Sequence, residues 1–569
     1  MTEPRNLGPF DACPACGHDF GVAPTQGPPS LHLAIAPGPA GRPQWRLSLF
    51  DDHGAPGKHW QSPDYDPAQA QDVYWLCGDG HLFFDHHLQG VRRTTARIDR
   101  FSSAAAVGAV AAGKSYLLLR TLNQDLTLPP ASRDAGTGAP PVKMSGTAFE
   151  ERPMKALRRE YDSTVYDNVP LDPTSLQEMV PAQFLAEVLG GDLVDQIRQI
   201  HVELLGAGPA RWGTVVRQPI VQRYNARGRV VITSVADLPG EFFNAETYDQ
   251  EYRQRALAKY DSLVWTIDPI VEPAFTRFLP PADAERLTMS SVRPDQHTLA
   301  DLNRARSRRR VQQRDIADRL TAQGDFGKDD GAMRKLLVCL TKADLITHAV
   351  RGGKRLAELG PVDAVVTGVA DYLVDVSNRC AGRIGHEGVV ERSVWNGLVR
   401  DLTQDLDVPE IREEIARHVA REVVAHYSDG ERLWNLIHFG GEDRISVDAG
   451  SSETELTRRL AVPSIDRHVA ASLTPGEGGL LRQRDLVMSA LTCGLVYGLG
   501  MGQVVRQLFE QRWREVRFYL CSPFGDVPVL SPGTLDRFEL DGGHEFPAAG
   551  DPSAALVQLK LGLLSGVQL

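Results

Sequence analysis

Gly108-Ala109-Val110-Ala111-Ala112-Gly113-Lys114-Ser115 has the residue types and spacing needed to cradle phosphate groups. Its glycines let backbone N–H groups wrap phosphate oxygens, and a helix beginning at the lysine adds its partial positive charge. Lys114 can then reach the β- and γ-phosphates of a nucleotide, while the Ser115 hydroxyl can ligate magnesium. An apolar run at 104–107 precedes the loop and an apolar helix follows it. Gly108, Gly113, Lys114, Ser115 and Tyr116 are accordingly the first nucleotide-binding candidates.

Three further segments carry matching chemistry. Asp237-Leu238-Pro239-Gly240 closes a strand. The Asp237 carboxylate can hold a magnesium ion through water, and the Gly240 N–H can sense the γ-phosphate. Thr341-Lys342-Ala343-Asp344 follows the apolar run 336–340. Cys521-Ser522-Pro523-Phe524-Gly525 follows another at 516–520.

The order of these segments, with a hairpin before the second, resembles the TRAFAC class of P-loop GTPases. The resemblance implies that Asp344 accepts hydrogen bonds from guanine N1 and N2, for which adenine has no matching donor pair. Lys342 would pack its stem over the purine, with Thr341 where asparagine is usual. The loop holding Ser522 and Phe524 would reach guanine O6; Pro523 lacks an N–H, so a neighbour would donate. It further implies a threonine closing over magnesium, for which Thr214 is the first choice and Thr174 the rival. Glu241 stands where many relatives carry a glutamine that orients the attacking water. A glutamate can accept from that water but adds negative charge beside the γ-phosphate. Lys114, Thr214 and Glu241 form the expected catalytic set, with slow hydrolysis that depends on a protein partner or self-association.

The N-terminus holds a metal candidate. Cys13-Pro14-Ala15-Cys16-Gly17 is a knuckle sequence, and Cys77 with His81 supplies a second pair. Cys13, Cys16, Cys77 and His81 would close a structural zinc site, with His18, His86 and His87 competing for the fourth place. With the ribbon included, the chain more narrowly resembles the bacterial double-GTPase-type family, whose genes are linked by inference to conflict and defence systems.

Elements must position these groups, and the chain supplies them. Strands are expected at 215–224, 229–235, Ser262–Ile267, Lys335–Leu340 and 516–520, alternating with helical periodicity. The expected fold is α/β: a doubly wound P-loop NTPase sheet with one antiparallel hairpin, turning through Asn225-Ala226-Arg227-Gly228. The organisation read from the chain is a zinc-ribbon-like segment at 1–95, a GTPase core at 96–345, a helical insertion at 346–510, and the end of the core with a tail at 511–569. Ile411, Ile415, Val419 and Val423 recur on one face of a helix within the insertion.

Composition narrows the partners. A net charge of −11 disfavours a general nucleic-acid or anionic-membrane binder, because phosphates would be repelled. The uncharged, glycine-dense stretch 487–505 reads as a buried helix rather than a membrane span. The run 304–310, with five arginines, reads as a solvated helix face rather than a dock for RNA or an acidic protein. Arg217 and Arg223 read as solvated or hairpin-pairing, His438 as packed, and Cys339, Cys380 and Cys493 as small core residues. Seven cysteines with no secretory leader point to the cytoplasm. The expectation is a GTP/GDP-binding switch with Mg2+ and a structural Zn2+. A non-hydrolysing nucleotide scaffold, and an ATPase with an accidental TKAD, are the alternatives.

Overall fold

Runs of apolar and β-branched residues, rather than strict alternation, build most of the strands that matter for the site. The computed structural model describes residues 30–38, 43–50, 56–70, 72–76, 82–84, 98–109, 112–122, 126–128, 142–144, 146–148, 199, 220–226, 229–238, 257, 260–279, 299–322, 335–384, 409–439, 480–511, 513, 515–522 and 559.

The N-terminal part forms an antiparallel sheet from β1 (Leu31–Ala36), β2 (Gln44–Phe50), β3 (Pro56–Gln61), β4 (Asp72–Leu76) and β5 (Leu82–Phe84), in the order β3-β2-β1-β4-β5. Leu31 of the central strand lies opposite Leu49 and Leu76, and Leu31, Leu33, Leu47 and Trp75 are buried. Cys13, Cys16, Cys77 and His81 lie outside the described residues.

The larger sheet is built from β6 (Ile98–Gly108), β9 (Gly146–Ala148), β10 (Ile220–Ala226), β11 (Arg229–Asp237), β12 (Ser262–Ile267), β13 (Lys335–Leu340) and β14 (Glu515–Leu520). Between β6 and β9 come α1 (Lys114–Leu122) and a separate two-stranded ladder of β7 (Leu126–Leu128) and β8 (Val142–Met144). The order is β14-β13-β12-β6-β11-β10-β9. The first five of these run parallel, and β10 and β9 extend the sheet antiparallel. Every residue of β12 and β13 is buried, as parallel strands covered on both faces require. The chain therefore has the expected mixed α/β architecture and the expected hairpin. Pairing in that hairpin runs on to Ala226 opposite Arg229, so Asn225 and Ala226 belong to the strand, leaving Arg227 and Gly228 between the partners.

Helices α2 (Pro273–Phe278) and α3 (Leu299–Ala322) follow β12, and α4 (Ala343–Arg351) follows β13. The remaining helices are α5 (Ala364–Ile384), α6 (Pro409–Tyr427), α7 (Gly430–Phe439), α8 (Leu480–Val496) and α9 (Gly502–Glu510). Their buried faces join the sheet in one continuous apolar core that includes Trp265, Phe275, Tyr427, Leu491, Phe518 and Tyr519. Burying such aromatics contributes about 1.5–3 kcal/mol each. Helix α8 is tied to the edge strand by Ser489, whose hydroxyl donates to the Phe518 carbonyl at 2.7 Å and accepts its N–H at 3.3 Å. The apolar stretch 487–510 is mostly inside this core. It breaks between α8 and α9 at Gly500, where φ is 84°.

Candidate functional site

A parallel sheet delivers the C-terminal ends of its strands to one edge, and ligands bind there where the strand order reverses. The chain leaves β6 toward β11 and β10 on one side, then returns to β12 and β13 on the other. The reversal therefore lies at β6, and the phosphate-loop sequence follows β6. Register aligns the ends: Gly108 lies beside Thr266, Ile267 beside Leu340, Leu340 beside Leu520, and Asp237 beside Ala106. Segments far apart in sequence thus open onto a common rim.

Close packing favours glycine at one point of the loop and backbone conformation at another. A Cβ on Gly108 would come within 2.0 Å of the Thr266 hydroxyl and 2.9 Å of its carbonyl. Gly113 has φ 85°, a left-handed conformation that side chains disfavour. Helix α1 starts at Lys114, whose ammonium donates to the Gly108 and Ala109 carbonyls, each at 3.0 Å, with the residue 6% exposed. The next residue, Ser115, donates its hydroxyl to the Asp237 carboxylate at 2.5 Å, across 122 positions of sequence. A hydroxyl and a carboxylate are hard oxygen donors, the set magnesium prefers, so these two fit the ion expected here.

Thr341 joins this loop to the next. Its hydroxyl lies 2.9 Å from the Ala112 carbonyl and 3.0 Å from the Ile267 carbonyl, and its N–H donates to Ile267. Lys342 then adopts φ 58°, ψ 40°, a left-handed conformation that costs a non-glycine residue about 1–2 kcal/mol. The strain is held from both sides, because Ala343 N–H donates to the Cys521 carbonyl at 3.1 Å and Cys521 N–H to Leu340 at 2.8 Å. Asp344, 6% exposed, accepts the Ser522 hydroxyl at 2.8 Å. This bond fixes one carboxylate oxygen in the first turn of α4.

Gly108, Gly113, Lys114, Ser115, Asp237, Thr341, Lys342, Asp344 and Ser522 are thus gathered on one rim. Tyr116 lies in α1. Thr214, Thr174, Gly240, Glu241 and Phe524 lie outside the described residues. Among the described residues, no group of three His, Cys, Asp or Glu is placed to hold a metal.

Motif reading missed a buried ionic cluster beside the rim. Asp268 follows β12 and Glu272 precedes α2; both are wholly buried. Asp268 receives the Lys342 ammonium at 2.8 Å and the Arg309 guanidinium. Glu272 receives Gln313 at 3.0 Å, Arg314 at 2.8 Å and Arg310 at 3.3 Å. The basic run is therefore only in part a solvated face. Residues 306, 309, 310, 313 and 314 recur at helical spacing on the side of α3 that meets these carboxylates, while Arg304, Arg308 and much of Arg310 are exposed. Burial raises the Asp268 pKa, but Lys342, Arg309 and the Ile270 N–H outweigh it and hold the carboxyl below the usual range. Burial lowers the Lys342 pKa, aided by Arg309 and opposed by Asp268 and Asp344. The available signal is an aspartate just past a mostly apolar strand, in Trp265-Thr266-Ile267-Asp268-Pro269.

Cys339 and Cys493 are buried core residues, as expected. No protein-family model, curated protein or solved structure matches the chain.

Proposed function

We propose that the chain is a GTP-binding switch of the TRAFAC type, with magnesium at Ser115 and Asp237 and guanine selected by Asp344. The observation that carries this reading is the convergence on one rim of motif residues bonded across 122, 178 and 229 positions of sequence. An accidental TKAD would have no reason to bond both the phosphate loop and the serine after β14. Ser522 holding Asp344 supports a fixed acceptor carboxylate, which suits guanine N1 and N2 and offers nothing equivalent to adenine. Ser115 and Asp237 would hold magnesium, which would neutralise charge that develops on the phosphates during transfer.

Hydrolysis belongs to the same reading. Lys114 orients the terminal phosphates, Thr214 closes on the metal, and Glu241 contacts the attacking water, at a slow rate that a protein partner or self-association raises. A structural zinc on Cys13, Cys16, Cys77 and His81 is part of the proposal, supported by the knuckle spacing, as is action in the cytoplasm. Thermal unfolding of the full chain with nucleotides in magnesium tests the central point. Mg·GDP and Mg·GTP should raise Tm while Mg·ADP and Mg·ATP leave it unchanged; equal shifts from the adenine nucleotides would sink the guanine assignment.

A further inference from the structure

Asp268 belongs to none of the recognised motifs, yet the ammonium of the base-loop lysine rests on it. The residue is fixed before either cation reaches it. Its Oδ1 accepts the Ile270 N–H at 3.1 Å, capping the turn at Pro269–Val271, and its own N–H donates to Gln313 Oε1 at 2.8 Å. Its Oδ2 is shared by Lys342 Nζ and an Arg309 amine. The Arg309 contact alone would neutralise the carboxylate and anchor α3. The second cation therefore calls for its own explanation.

We infer that Asp268 is a positioning residue for Lys342, holding the lysine stem over the base subsite and so strengthening guanine-nucleotide binding. A lysine side chain loses more rotamer freedom than almost any other when it is ordered. Here the cost is met within the fold. The backbone end is pinned in the left-handed conformation between Ile267, Ala112 and Cys521, and the ammonium end is pinned on a buried carboxylate. A stem held at both ends is confined to few paths, so a base that packs on it need not order it. Asp344, two residues further, is held separately by Ser522, so the acceptor and the stem are fixed independently. This inference rests on the proposed guanine-binding function.

A double-mutant cycle on the full chain, read as Mg·GDP affinity by calorimetry, separates positioning from general stability. Asp268→Asn keeps the shape and an acceptor for Ile270 but removes the charge. It should raise Kd roughly tenfold, a typical coupling for groups in contact. Lys342→Met should weaken binding similarly, and the double variant should bind no worse than Lys342→Met alone. Arg309→Met leaves the lysine pair in place and should lower Tm while changing Kd by less than about twofold. An unchanged Kd for Asp268→Asn would overturn the inference, as would its full effect persisting in the Lys342→Met background. If Asp268→Asn does not fold, Asp268→Glu keeps the charge, displaces the carboxylate and enters the same cycle. A wild-type chain that binds Mg·ADP but not Mg·GDP would instead remove the guanine reading itself.

Discussion

At the base end of the rim, loop 341–344 is fastened to its neighbours by bonds from several directions: Thr341 to Ala112 and Ile267, Ala343 to Cys521, Lys342 to Asp268, and Asp344 to Ser522. At the phosphate end the contacts are of another kind. Lys114 donates to carbonyls of its own loop, and Ser115 meets Asp237 through a partly exposed hydroxyl–carboxylate pair. Phosphates and a divalent ion can take over bonds of the second kind one for one, since they offer the same charge-assisted chemistry. Bonds of the first kind are structural and stay made. Under the proposed function, the contrast teaches that selectivity for the base would be built into the folded chain, whereas chemistry at the phosphates would be completed by exchange of partners.

The largest effect should come from the exchangeable end. Lys114→Ala removes the cation that, in the proposed function, meets the β- and γ-phosphates, and should weaken Mg·GTP binding by roughly a hundredfold or more. Its effect on stability should be about 2–4 kcal/mol, since two buried carbonyls lose a donor. Equilibrium binding and thermal unfolding of the same sample check this. A large fall in Tm with intact affinity would reverse the contrast.

Gly108→Ala probes the junction between the two ends. The new Cβ would press on Thr266, whose hydroxyl is bonded to the Val107 carbonyl at 3.2 Å, so β6 or β12 must shift. Overpacking of this kind costs about 1–3 kcal/mol and should lower Tm and nucleotide affinity together. Denaturant unfolding that matches wild type would show that the strands separate more easily than their packing implies.

The smallest effect concerns pH and sharpens the base end alone. In the unfolded chain an aspartate titrates near about 4, whereas Asp268 in the fold titrates lower. The folded state therefore binds that proton less readily, and the stabilisation is complete above about pH 4 and lost as pH falls through the depressed value. The Tm difference between wild type and Asp268→Asn should be constant from pH 7 to about 5 and shrink below about 4. A difference that grew in acid would contradict the ionic account.

Much of this was legible in the sequence, and for physical reasons. Fully buried parallel strands read as mostly apolar runs, so the expected bounds Ser262–Ile267 and Lys335–Leu340 match the strands observed. The proposed phosphate loop is a local motif of eight consecutive residues. Less legible was anything set by tertiary pairing. Asn225 and Ala226 have turn-like composition but are held in the ladder by Arg229 and Val230. Arg309, Arg310 and Arg314 look solvated because the carboxylates they meet lie about 40 positions earlier in the chain. Asp268 could not be read from a motif, since its role is defined by Lys342 and Arg309 arriving from elsewhere.

The account depends most on Asp344 reading guanine. Asparagine at that position retains an acceptor for Ser522 and adds an amide donor suited to the 2-oxo group of xanthine. Titration of Asp344→Asn with Mg·GDP and Mg·XDP should show the preference inverted, with GDP weakened by roughly a hundredfold and XDP bound in its place. Unchanged GDP affinity in that variant, with no gain for XDP, would contradict the claim that this chain selects guanine through Asp344.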